Sequence, residues 1–120
     1  MVLLVDDCRE QRELYEFVLS DTLEIFGASR GDEALRIAKR RPLDGVVLDV
    51  MMPDLDGWEV CRQLKSDPDT SAIPVVMLTA SDGNDVPARA IQCGADAVLA
   101  KPCSAPKLLA TILASIDRVS

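Results

Sequence analysis

Two kinds of segment alternate along the chain. Short β-branched or aliphatic runs stand at Val2–Val5, Leu23–Phe26, Gly45–Leu48, Pro74–Leu78 and Ala97–Leu99. They lack strict apolar–polar alternation, which is the pattern of strands buried on both faces. Between them lie amphipathic stretches that predict helices over Arg9–Leu19, Asp32–Arg40, Gly57–Lys65, Val86–Cys93 and Pro106–Arg118. Local signals mark the helix ends. Asp32 is placed to cap the second helix, and Arg40-Arg41 suit its carboxyl end before Pro42 stops it. Asp56-x-x-Glu59 reads as a capping box for the third helix. Gly94 stands where the fourth helix should end in a left-handed residue. Ser104 is placed to cap the last helix, whose apolar stripe is Leu108, Leu109, Ile112, Leu113 and Ile116. Between Ser81 and Pro87, Gly83 and Asn84 favour a loop, Asp85 a cap and Pro87 a first helical turn, so the fourth helix should be short.

Five strand–helix units in succession predict a doubly wound α/β domain, a parallel sheet with helices on both faces and right-handed crossovers. In such sheets the site lies beyond the carboxyl ends of the strands, near the point where the strand order reverses. Those positions hold Asp6 and Asp7 after the first run and Asp49 after the third. Thr79 follows the fourth run and Lys101 the fifth. Any one of these aspartates could be a turn former or helix cap. Three carboxylates, a hydroxyl and an ammonium at one sheet edge are harder to explain that way.

Composition narrows the chemistry. The 120 residues, 48% hydrophobic and 28% charged, suit one packed domain with no output domain in the chain. A net charge of −7 disfavours binding to nucleic acid. No apolar run approaches the ~20 residues that span a bilayer, and no signal peptide is visible. The chain has no histidine, which excludes histidine triads, histidine general bases and histidine-ligated metals. Cys8, Cys61, Cys93 and Cys103 form no C-x-x-C pair and fit no zinc spacing. They read as free thiols in a reducing cytoplasm.

Carboxylates brought together repel. At 4 Å and an effective dielectric near 20, each like-charge pair costs about 4 kcal/mol before screening. A raised pKa or a cation must offset this. Lys101 supplies one positive charge, and an all-oxygen donor set favours Mg²⁺ for the remainder. A carboxylate can also be the nucleophile toward phosphorus, with Thr79 and Lys101 as donors to the transferred group.

These residues, in order, resemble the response-regulator receiver domains of bacterial two-component signalling, of the chemotaxis-regulator type. The resemblance rests on Leu4-Val5-Asp6-Asp7, on Leu48 to Glu59 (LDVMMPDLDGWE), on Pro74 to Ala80 (PVVMLTA) and on Gly94 to Pro102 (GADAVLAKP), and it covers essentially the whole chain. It implies the flavodoxin-like strand order 2-1-3-4-5 with five helices. It implies that Asp49 accepts a phosphoryl group from the phosphohistidine of a sensor histidine kinase or histidine phosphotransfer protein. Mg²⁺ would be held by Asp6, Asp7, Asp49 and the Met51 backbone carbonyl. Thr79 and Lys101 would bind the phosphoryl group, and the Lys101–Pro102 peptide would be cis. The product would hydrolyse slowly, making the chain a switch rather than an enzyme with turnover. An output domain or downstream protein would read the face made by the fourth helix, fifth strand and fifth helix.

One position departs from that pattern. Three residues before the lysine the family commonly carries Tyr or Phe, and here Val98 stands there. The usual threonine–aromatic coupling should therefore be absent and the readout different. Three other readings compete. Asp54-Leu55-Asp56-Gly57 faintly echoes the nucleophile motif of aspartate-based phosphatases, but Pro53 intervenes after the strand. A flavin or other small-ligand module would need a phosphate-cradling loop, and Asp6-Asp7-Cys8-Arg9 would repel phosphate without a metal. A receiver acting without phosphorylation would not need the complete acceptor set.

Overall fold

The computed structural model describes residues 1–52, 55–80 and 86–119. Strands β1 (Val2–Val5), β2 (Ile25–Ala28), β3 (Gly45–Asp49), β4 (Val75–Thr79) and β5 (Ala97–Ala100) alternate with helices α1 (Arg9–Leu19), α2 (Gly31–Arg40), α3 (Gly57–Ser66), α4 (Val86–Cys93) and α5 (Ala105–Val119). All strand pairings are parallel, in the order β2-β1-β3-β4-β5. This is the flavodoxin-like arrangement, with the reversal of strand order between β1 and β3.

The period-2 geometry of the strands divides the apolar residues between two cores. Leu3, Val5, Val46, Leu48, Val75 and Met77 face one side, where α2, α3 and α4 cover them with Ala34, Ala38, Val60, Cys61, Leu64, Ala90 and Cys93. Val2, Leu4, Val47, Val76 and Leu78 face the other, where α1 and α5 supply Tyr15, Leu19, Leu108 and Ile112. The central strands are buried on both faces, which is why their sequences read as continuous apolar runs.

Several local expectations hold. The Asp56 side chain accepts from the Glu59 N–H at 2.9 Å and caps α3, the first arm of the expected box, while the Glu59 carboxylate pairs with Arg62 instead of closing it. Ser104 Oγ accepts from the Lys107 N–H at 3.3 Å at the start of α5. Gly94, with φ of 82°, ends α4, and the N–H groups of Gly94 and Ala95 both donate to the Ala90 carbonyl. Pro87 lies in the first turn of α4. The expected loop from Ser81 and cap at Asp85 lie outside the described residues, as does Asp54.

Two expectations are corrected. The second strand is Ile25–Ala28, not Leu23–Phe26. Leu23 packs into the core from the turn before the strand, while Gly27 and Ala28 pair with Leu4 and Val5 yet carry little apolar signal. Asp32 does not cap α2. Gly31 opens that helix, Arg30 is the extended N-cap residue, and Asp32 lies in the first turn. There its Oδ1 accepts from Arg30 Nε and from the Glu33 N–H, still facing the positive end of the helix.

Candidate functional site

Strand register builds the site. Val5 lies opposite Leu48, so the next residue, Asp6, emerges beside Asp49, the last residue of β3. Asp49 in turn lies opposite Leu78, and Thr79 opposite Ala100. The five sequence-predicted side chains therefore share one edge of the sheet, at the reversal point and the strands beside it. β3 and β4 each end one residue beyond the apolar run, so Asp49 and Thr79 are strand residues rather than loop residues. Each is fixed by ladder hydrogen bonds on a rigid element.

One carboxylate oxygen from each of Asp6, Asp7 and Asp49 lies within 4.8 Å of the others. Asp6 and Asp49 are buried and Asp7 is exposed, so the cluster opens toward solvent on one side. Lys101 Nζ lies 3.1 Å from Asp49 Oδ2 and 3.9 Å from Asp6 Oδ2. Asp6 Oδ1 accepts from the Cys8 N–H at 2.9 Å, but Asp6 Oδ2 is buried and has no hydrogen-bond donor within reach. Burial is the main force on Asp6 and raises its pKa from 3.8 to about 6. The Cys8 N–H and Lys101 oppose that rise, and the neighbouring Asp49 adds to it. A buried carboxylate with an orphaned oxygen beside two more carboxylates, all with oxygen donors, fits a hard divalent cation such as Mg²⁺.

The Met51 N–H donates to Asp49 Oδ1 at 3.2 Å, which sets the Met51 backbone beside the Asp49 carboxylate while its side chain is exposed. Thr79 is buried and lines a cavity of about 360 Å³ with Val50, Met51, Trp58, Val86 and Arg89. The Lys101 N–H donates to the Thr79 carbonyl at 2.8 Å, tying the β5 end to the β4 end, and the Lys101–Pro102 peptide is cis. Val98 lies half-buried opposite Met77, packed against the core. Trp58, buried at the start of α3, has the Arg89 guanidinium 5.5 Å above its ring. Gly57 makes the approach of α3 possible. A Cβ there would collide with the Asp49 carbonyl oxygen and lie 2.8 Å from Val50 Cα.

Three residues of α1 also reach this edge, and the strand-end reading did not include them. Gln11 Oε1 accepts from Lys101 Nζ at 2.9 Å. Arg12 Nη1 donates to the Asp6 carbonyl at 2.8 Å. The buried Tyr15 hydroxyl donates to the Cys103 carbonyl at 2.7 Å. A signal for Gln11 existed: it stands four and eight residues before Tyr15 and Leu19, the buried stripe of α1, and is the polar residue on that stripe.

A parallel α/β sheet with an acidic cluster and a lysine at its carboxyl edge defines a class, and comparison with known proteins identifies it. The family model of the response regulator receiver domain matches residues 2–113, and the chain belongs to that family. It is 46% identical over 121 residues to the response regulator MprA of a Mycobacterium species, covering 99% of this chain and 51% of that protein. It is 41% identical over 112 residues to the response regulator PleD of Caulobacter vibrioides, covering 92% of this chain and 25% of that protein. The chain thus spans a quarter to a half of the length of these curated relatives. Among solved structures it is similar to the signal receiver domain of a signal transduction histidine kinase from Syntrophus aciditrophicus, at 32% identity and a TM-score of 0.91, covering 99% of this chain and 91% of that one. It is also similar to the receiver domain of the sensor histidine kinase PA1611 from Pseudomonas aeruginosa, which holds a magnesium ion in its active-site cleft, at 26% identity and a TM-score of 0.88, covering 97% of this chain and 96% of that one. Receiver domains are signalling switches of two-component systems, and they bind Mg²⁺ at an acidic pocket. No helix among the described residues is long and apolar enough to cross a membrane.

Proposed function

We propose that this chain is a Mg²⁺-dependent phosphoryl acceptor whose nucleophile is Asp49. The donor is a phosphohistidine on a sensor histidine kinase or a histidine phosphotransfer protein. The observation that carries this reading is the Asp49 carboxylate, buried, 3.1 Å from Lys101 Nζ and clustered with Asp6 and Asp7. A carboxylate oxygen of Asp49 attacks phosphorus. The phosphorus–nitrogen bond breaks, and the donor imidazole leaves with the bonding pair and takes up a proton. Asp6, Asp7, Asp49 and the Met51 carbonyl would hold Mg²⁺, which neutralises charge on the phosphoryl oxygens. Lys101 supplies a fixed ammonium, and Thr79 a hydroxyl, to those same oxygens. Water later attacks phosphorus, breaks the bond to Asp49 and returns the free carboxylate and inorganic phosphate.

The added negative charge shifts the population of conformers presented by α4, β5 and α5 to an output domain or downstream protein. With Val98 in place of an aromatic residue, that readout runs without an inward-swinging ring on β5. On this reading the chain works in the cytoplasm, where free thiols persist. The test is incubation with Mg²⁺ and acetyl phosphate followed by intact mass measurement. Wild type should gain one phosphoryl mass and Asp49→Ala none. No gain in wild type, or equal gain in both, refutes the proposal.

A further inference from the structure

We propose that Gln11 is a positioning residue that fixes the Lys101 ammonium for phosphoryl transfer. The inference rests on the acceptor reading above. A lysine head group sits on a flexible four-carbon stem and has no preferred direction of its own. Its partner Asp49 is the reacting group, so the Asp49–Lys101 contact must change when phosphorus bonds to that carboxylate. A hold on Lys101 that survives the reaction has to come from elsewhere. Gln11 Oε1, 2.9 Å from Lys101 Nζ, is such a hold.

The platform beneath Gln11 is rigid. Tyr15 and Leu19, on the same face of α1, are buried in the core. One residue on, Arg12 is fastened to the Asp6 carbonyl, and Arg12 also pairs with Glu16 at 3.7 Å. The Tyr15 hydroxyl holds the Cys103 carbonyl, two residues beyond Lys101. α1 thus grips the β1 end, the lysine and the segment after it from one side. The chemistry of the holding atom matters as well. A neutral amide oxygen orients an ammonium without competing for its charge, whereas a carboxylate at this position would draw Lys101 away from Asp49.

The test compares phosphorylation rates at saturating Mg²⁺ over a series of acetyl phosphate concentrations, read by intact mass. Gln11→Met keeps length and helix propensity but removes the acceptor. It should lower the maximal rate about 3- to 10-fold while leaving the half-saturating acetyl phosphate concentration unchanged. Gln11→Glu should lower the maximal rate as well. In a Lys101→Met background, Gln11→Met should have no further effect, because a positioning role disappears with the group it positions. A wild-type rate in Gln11→Met, or an equal fold-loss with and without Lys101, overturns the inference alone. Absence of any phosphoryl gain in wild type overturns the inference together with the acceptor reading.

Discussion

Replacing Asp6 with Asn should stabilise the metal-free protein, and by an amount that depends on pH. Asp6 is 1% exposed, its Oδ2 has no donor, and its pKa rises from 3.8 to about 6. A folded-state pKa above the unfolded value means that the folded chain holds the proton more tightly. Asp6 therefore favours folding fully below about pH 4, and this contribution is lost as pH rises through about 6. The shift is about two units, each worth about 1.4 kcal/mol, so ionised Asp6 costs the metal-free fold about 3 kcal/mol near pH 7.5. Asn keeps the shape and can still accept from the Cys8 N–H, and its amide can donate toward Asp49. The gain from Asp6→Asn should be about 2–3 kcal/mol at pH 7.5 and close to zero at pH 4. Urea denaturation in the presence of EDTA, followed through Trp58 emission with m-values compared, measures it. Equal gains at the two pH values, or no gain at pH 7.5, would refute the reasoning. On the acceptor reading, excess Mg²⁺ should narrow the gap by stabilising wild type alone.

Two further substitutions probe the framework of the site. Gly57→Ala places a methyl group against the Asp49 and Val50 backbone, so it should cost about 3 kcal/mol or more and slow phosphorylation. Urea denaturation and the mass assay check it, and a loss below about 1 kcal/mol would show that α3 can back away freely. Tyr15→Phe leaves the Cys103 carbonyl without its buried donor and should cost about 1–3 kcal/mol. A change within about 0.5 kcal/mol, the range of an ordinary surface substitution, would mean that the carbonyl finds another partner.

The strands and helices were legible because burial on both faces leaves an uninterrupted apolar run and the helices carry one-sided stripes. β2 slipped by two residues because its partnering end, Gly27-Ala28, has almost no hydropathy, while Leu23 is apolar for packing rather than for pairing. Asp32 was misassigned because an acidic residue suits both the cap and the first turn, and hydropathy cannot separate positions two residues apart. The site edge was readable because parallel topology sends every strand end to one side. Gln11 was not, since its partner Lys101 lies 90 residues away and only the docking of α1 brings the two together. The rise in the Asp6 pKa depends on desolvation and so on the packed structure.

Helix α4 is moored differently from its neighbours. Among the described residues its buried anchors are Ala90 and Cys93, two small side chains one turn apart, where α3 buries Trp58, Val60, Cys61 and Leu64. Lifting α4 away would expose, of its own side chains, Ala90, Cys93 and the half-buried Val86, about 2–3 kcal/mol of apolar burial. On the acceptor reading, the charge added at Asp49 works on that same scale. The receiver can thus keep a stiff sheet and a stiff α1 while one lightly ballasted helix is left to move, and substitutions that enlarge Ala90 or Cys93 would tune how readily it does.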